Sequence, residues 1–188
     1  MNILLRLKHD TADLHERVER HIPIFSPQFD LSAYITLIER FYGYWAPLEE
    51  QLLKVDGLCD PPLVLPERLK THLLSADLQR FGVNPHDLPT CSALPDVSTF
   101  PRACGCLYVL EGSTLGSQVI ARQLRQALDL DRENGASYFN AYGPETGARW
   151  RTFREFVEAR TSPEFIAPTV AAARETFASL DCWLTAIS

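Results

Sequence analysis

His15 is the residue of this chain best placed to do chemistry. At about 100° per residue on a helix, Leu4, Leu7, Leu14 and Val18 form one apolar stripe, and Lys8, Thr11 and His15 lie along one edge of it. His9 points roughly opposite, and His21 falls at the end of the segment beside Pro23. A neutral imidazole looking into an apolar cleft is a good axial ligand for haem iron. Lys8, one residue type able to grip a propionate, sits roughly 10 Å further back along the same ridge at 1.5 Å rise per residue. The same spacing equally describes a boundary histidine that hydrogen-bonds a neighbour, which is the commoner role.

A second feature is the run Leu110-Glu111-Gly112-Ser113-Thr114-Leu115-Gly116-Ser117-Gln118, set in an otherwise strong helical pattern. Each interior glycine costs about 1 kcal/mol relative to alanine, and Gly105, Gly112 and Gly116 fall within twelve positions. Gly112 and Gly116 are one turn apart on one face. A strip without side chains lets either a flat ligand or a second helix approach closely, and spacing does not choose between them. The third feature is Arg149-Trp150-Arg151-Thr152-Phe153-Arg154, where Trp150, Phe153 and Val157 share a face. Its arginines can hold a carboxylate or simply form a solvated basic surface.

Several other chemistries are excluded. No Glu-x-x-His motif occurs, so a di-iron carboxylate bundle is ruled out. Cys104 and Cys106 point about 200° apart on a helix and cannot chelate one metal. There is no P-loop, no Gly-x-Gly-x-x-Gly and no His-Glu-x-x-His, and no strand precedes Ser113 as a nucleophile elbow requires.

The elements that must position these residues read as helices throughout. Periodicity predicts a first helix over 3–20, broken by Pro23 and Pro27, and a second capped by Asp30 or Ser32 that runs to Leu52 with Pro47 kinking it. A turn-rich segment, 56–66, precedes a third helix over 67–81, which Gly82 terminates. The prolines of 84–97 allow only a short helix. A long helix over 101–128 with Ser98 as cap, a polar connection over 131–143, and helices over 145–160 and 162–187 complete the chain. The expectation is one all-α domain, residues 1–188, of six to eight helices.

The 188 residues are 46% apolar and 22% charged, which fits one ordinary globular domain. The net charge of −6 argues against nucleic acid as a partner. No uncharged apolar run reaches the roughly 18 residues of a membrane span, and the opening MNILLRLKHD meets charge too early for a secretory signal. Five cysteines without regular spacing read as reduced thiols of a cytoplasmic protein.

In the order of its features the chain resembles the heme oxygenase family, in particular its bacterial members. The residues that carry the resemblance are Leu7-Lys8-x-x-Thr11-x-x-x-His15-x-x-x-Glu19, Tyr42-x-x-Trp45-Ala46-Pro47-Leu48-Glu49-Glu50, Ala76-Asp77-Leu78, the segment from Tyr108 to Val119, and Arg174-Glu175-Thr176-Phe177. The first and fourth together are specific, and the likeness spans nearly the whole chain. It implies a haem-oxygenase-like bundle that sandwiches haem between the first helix and a kinked distal helix. His15 is then the proximal iron ligand, with Lys8 and Thr11 beside it and Phe177 lining the pocket. Gly112 and Gly116 pass close over the porphyrin and steer bound dioxygen, and Arg149 or Arg151 holds the second propionate. Many members carry Asp directly after the first distal glycine, whereas this chain has Ser113, whose hydroxyl is uncharged and shorter in reach.

The implied reaction is cleavage of haem, both substrate and cofactor, by O2 and electrons to biliverdin, carbon monoxide and ferrous iron. The chain has no flavin or nicotinamide motif, so an external reductase or ferredoxin must supply the electrons, and a bacteriophytochrome is a possible recipient of biliverdin. The alternative is a haem- or bilin-binding protein of the same fold without turnover.

Overall fold

A computed structural model describes residues 2–160 and 162–186. Six α-helices carry the chain: α1 (Ile3–Glu19), α2 (Leu31–Leu52), α3 (Thr71–Arg80), α4 (Phe100–Leu128), α5 (Thr146–Glu158) and α6 (Pro163–Thr185). Four short 3-10 turns punctuate them, and no strand occurs among the described residues. The expected all-α architecture holds. None of the described helices is long and apolar enough to cross a membrane.

α6 is the organising element. It packs most extensively against α4 and next against α1, while α5 touches both α1 and α4. α1 and α4 hardly pack on each other, so the two helices stand as facing walls with α6 behind them. The α4–α6 contact depends on Gly105: a Cβ there would lie 2.2 Å from the Thr169 carbonyl oxygen and 2.9 Å from Ala172 Cβ. Ala172 and Ala173 on the facing turn are fully buried.

α2 remains helical through Pro47 to Leu52. Proline has no N–H to give to the carbonyl four residues back, which is that of Gly43. The loop after α3 supplies the missing donor, because the Cys91 N–H bonds the Gly43 carbonyl at 2.8 Å. Glycine is required at position 43 for that approach, since a Cβ would sit 2.4 Å from the Pro89 carbonyl oxygen.

Two expected boundaries shift for tertiary reasons. The third helix begins at Thr71 rather than at 67, because Arg68 and Lys70 turn into the interior and a 3-10 turn, Leu65–Glu67, precedes them. Glu49 of α2 then accepts the exposed helix-start N–H groups of Lys70 and Thr71, at 2.8 and 3.1 Å. The connection over 131–143 is not merely polar: its 3-10 turn Tyr138–Asn140 buries Tyr138 and Phe139 in the core. Asp77 fixes that turn by accepting the Ser137 and Tyr138 N–H groups, both at 2.9 Å. Ile187, the expected end of the last helix, lies outside the described residues.

Because the atom facing Gly105 is backbone and cannot rotate away, Gly105→Ala is expected to destabilise the fold by roughly 1–3 kcal/mol despite its better helix propensity. Urea unfolding of the two proteins measures this directly.

Candidate haem-binding cleft

The ridge predicted on α1 is present. Leu7, Leu14 and Val18 are buried, Thr11 is buried at its edge, and Lys8 and His15 are exposed. The Thr11 hydroxyl donates to the Leu7 carbonyl at 2.8 Å, which leaves its methyl and oxygen facing inward. The His15 side chain is 53% exposed, so its ring is open to an incoming group on one side. On the other side the ring meets Phe177 of α6 edge-on, with centroids 5.6 Å apart. Its Nδ1 stands 3.6 Å from the Glu19 carboxylate one turn on. A carboxylate at Nδ1 favours the tautomer with Nε2 unprotonated, the form that ligates metals.

The opposite wall is α4, helical through the whole of Gly112–Gly116. Ser113, Thr114 and Ser117 each give their hydroxyl proton to a carbonyl three or four residues earlier, at 2.8, 2.6 and 3.0 Å. Such back-bonds bend helices. The two uses of glycine that the sequence leaves open separate cleanly here. Gly105 is a packing glycine, whereas a Cβ at Gly116 would meet nothing within 4 Å and one at Gly112 only the Trp150 ring at 3.9 Å. The Gly112–Gly116 strip therefore faces open space, and its missing side chains leave room for a flat group beside the backbone.

Tyr108, one turn before Gly112, is a residue that sequence reasoning passed over, although the four-residue spacing places it on the same face. It reaches across to α1: burial raises its pKa, and a hydrogen bond with Thr11 works against the rise. Trp150 of α5 closes that end of the wall, stacking on Phe153 at 5.6 Å and approaching Tyr108 at 5.9 Å.

The arginines on either side of Trp150 differ. Arg149 is ion-paired with Glu67 at 3.0 Å and Glu145 at 3.5 Å, and lies over the Tyr142 ring. Arg151 is exposed. Glu111, beside Gly112, was also not expected as a structural centre. It is fully buried and receives Arg68 at 2.6 Å, Lys70 at 3.1 Å and the Tyr142 hydroxyl at 2.7 Å. Burial pushes the Lys70 pKa down, and the Glu111 charge and hydrogen bond oppose it. The bonds to Glu111 fix the rotation of α4 about its axis, and with it the direction in which Gly112 and Gly116 face.

Cys104 and Cys106 are buried in the core, and desolvation pushes both thiols up to about 12. Neither is a nucleophile at neutral pH. No cluster of three or more His, Cys, Asp or Glu side chains able to hold a metal ion occurs among the described residues.

The donor set therefore fits haem: one imidazole backed by a carboxylate with a cation on its own helix, and an open glycine strip with a phenol one turn before it on α4. An all-helical protein with this cleft belongs to the class of haem-handling helical bundles. A family profile described as "Heme oxygenase" matches residues 1–186. The chain is 33% identical over 165 residues to a heme oxygenase of Xanthomonas campestris pv. campestris (strain 8004), covering 84% of this chain and 92% of that one. Its fold superposes with a TM-score of 0.81 on the NO- and CO-bound heme oxygenase of Neisseria meningitidis, at 25% identity over 98% of this chain and 90% of that one. Heme oxygenase-1 of the cyanobacterium Synechocystis sp. PCC6803, in complex with heme, shares the fold at a TM-score of 0.76 and 19% identity, over 98% and 91% of the two chains. The chain belongs to the heme oxygenase family.

Two stability effects follow. Glu111→Ala leaves Arg68 and Lys70 as buried charges without their partner and is expected to cost roughly 3–5 kcal/mol. Gly116→Ala fills no occupied space and is expected to stabilise the ligand-free protein by up to about 1 kcal/mol. Chemical denaturation of the ligand-free variants checks both signs.

Proposed function

We propose that this chain is a biliverdin-producing heme oxygenase, cleaving haem to biliverdin, carbon monoxide and ferrous iron at the expense of O2 and electrons. The observation that carries this reading is the pairing of a half-exposed His15, backed by Phe177 and Glu19, with a glycine strip on α4 that only the edge of the Trp150 ring approaches. Haem, when bound, supplies the iron chemistry and is itself the molecule cleaved.

The chain's own residues then have distinct tasks. His15 would hold the iron through Nε2, with the Glu19 carboxylate 3.6 Å from Nδ1 on the other side of the ring. Lys8, exposed on the same ridge as Thr11 and His15, would hold one propionate. Arg151 is the better candidate for the other propionate, since Glu67 and Glu145 already engage Arg149. Gly112 and Gly116 would let α4 backbone lie close to a bound porphyrin, because neither carries a side chain into that space. Ser113 places a hydroxyl oxygen beside that space, and its back-bond to Leu110 leaves the oxygen free to accept a proton from water. The Cys104 and Cys106 thiols are core residues and have no part in this chemistry.

The chain carries no flavin or nicotinamide motif, so an external reductase or ferredoxin delivers the electrons in the cytoplasm, with a bacteriophytochrome as one recipient for the product.

Purified protein mixed with hemin is expected to develop a Soret band, and in air with ascorbate or a reductase, plus catalase, a broad red bilin band. His15→Ala is expected to lose the bilin band and to regain part of it with added imidazole. A stable Soret band with no bilin growth in the parent protein would identify a binder without turnover and overturn the enzymatic reading.

A further inference from the structure

α6 presents Phe177, Asp181 and Thr185 toward α1, each one turn after the last. Phe177 meets the His15 ring edge-on at 5.6 Å. One turn on, the Asp181 carboxylate gives both oxygens to residues at the end of α1. Oδ2 accepts from Arg17 at 2.5 Å, and Oδ1 lies 2.9 Å from His21 Nε2. A carboxylate only accepts, so that His21 nitrogen carries the proton. The Thr185 hydroxyl stands 3.3 Å from the same nitrogen and donates to the Asp181 carbonyl at 2.8 Å. Asp181 is buried, whereas the Arg17 side chain is half in solvent.

These contacts take hold of α1 on two flanks. His15 and Arg17 are two residues apart and so about 200° apart around the helix, with buried Leu7, Leu14 and Val18 between them. Apolar packing along that stripe opposes separation of α1 and α6, but it resists a small roll or slide only weakly. A roll of α1 in either sense alters the Phe177 contact and the Arg17 bond together, and a slide along its axis breaks the bond to His21. A second polar contact lies on the other side of His15, where Arg174 bonds the Asp10 carbonyl and approaches the Asp13 carboxylate at 3.4 Å. The Arg174 and Asp13 side chains are exposed, and exposed ion pairs hold geometry poorly. The buried Asp181 is therefore the stronger restraint.

We propose that Asp181 is a positioning residue for His15: by holding Arg17 and His21 it sets the roll and height of α1, and so the direction in which Nε2 points. A metal ligand must be held within about 0.5 Å and roughly 10–20° of its bonding geometry, which apolar packing alone does not guarantee. The inference rests on the haem reading above and deepens it. Asp181→Asn keeps the shape of the side chain and one acceptor oxygen. It strands no buried charge, because Arg17 already reaches solvent.

The test reads the iron–histidine stretching band of the reduced, hemin-loaded protein by resonance Raman spectroscopy without O2. Asp181→Asn should broaden that band and move it to lower wavenumber. It should also speed hemin release to a haem-scavenging protein by roughly tenfold, the low end of what loss of a ligand-orienting partner costs. Arg17→Gln removes one of the two bonds and should act in the same direction to a smaller extent, whereas Arg17→Lys should recover most of the parent band. His15→Ala loaded with imidazole carries a ligand that is not tied to α1, so adding Asp181→Asn should leave its band unchanged. An unchanged band in Asp181→Asn overturns the proposal, and so does an equal change in the imidazole-loaded protein, which would mark a through-space effect of the lost charge. Should Asp181→Asn fail to fold, Arg17→Gln decides by the same two measurements. A parent protein without a Soret band overturns the haem reading, and this inference with it; a parent with that band, matched by its variants, overturns this inference alone.

Discussion

The close approach of α4 to α6 at Gly105 governs the rest of the molecule. Two backbones there are near enough that a methyl group would overlap the Thr169 carbonyl oxygen. That contact draws the first half of α4 into the core, and Phe177, further along α6, backs His15 on α1. In the second half of α4 the face that carries Gly112 and Gly116 then turns to open space, while Thr114, Ser117 and Leu124 stay buried. One helix is thus both a core element and a cleft wall, and the change of role occurs within two turns.

Keeping such a wall in place requires that α4 not rotate. The apolar face alone does this poorly, because small residues slide past one another at little cost. The buried Glu111 carboxylate supplies direction: its partners come from the segment before α3 and from the turn before α5, and each bond is short. A buried charge of this kind contributes little net stability compared with apolar packing. Its value lies in geometry, since no other rotation of α4 satisfies both oxygens.

Helix positions and the ridge of Lys8, Thr11 and His15 were readable because amphipathic periodicity is a local property. Pro47 was readable as a break in bonding, although the chain keeps its helix by lending Gly43 a donor from a loop almost fifty residues on. Other features had no local signal. Tyr138 sits in a short stretch with no helical period, and only its packing against Phe41 of α2 shows it to be core. Arg149 and Arg151 are alike in sequence, and Glu67, far away in the chain, distinguishes them.

The sequence by itself determined that the chain is all helical and roughly where the helices run, and it marked one histidine and one glycine-rich segment without choosing between ligand contact and ordinary packing. It could do so because residue type and a period of 3.6 act over a few turns. Only the tertiary structure decided which glycine packs and which two stay open, and which polar groups gather at Glu111. Those outcomes depend on distances between segments that are remote along the chain, and no local pattern encodes such distances.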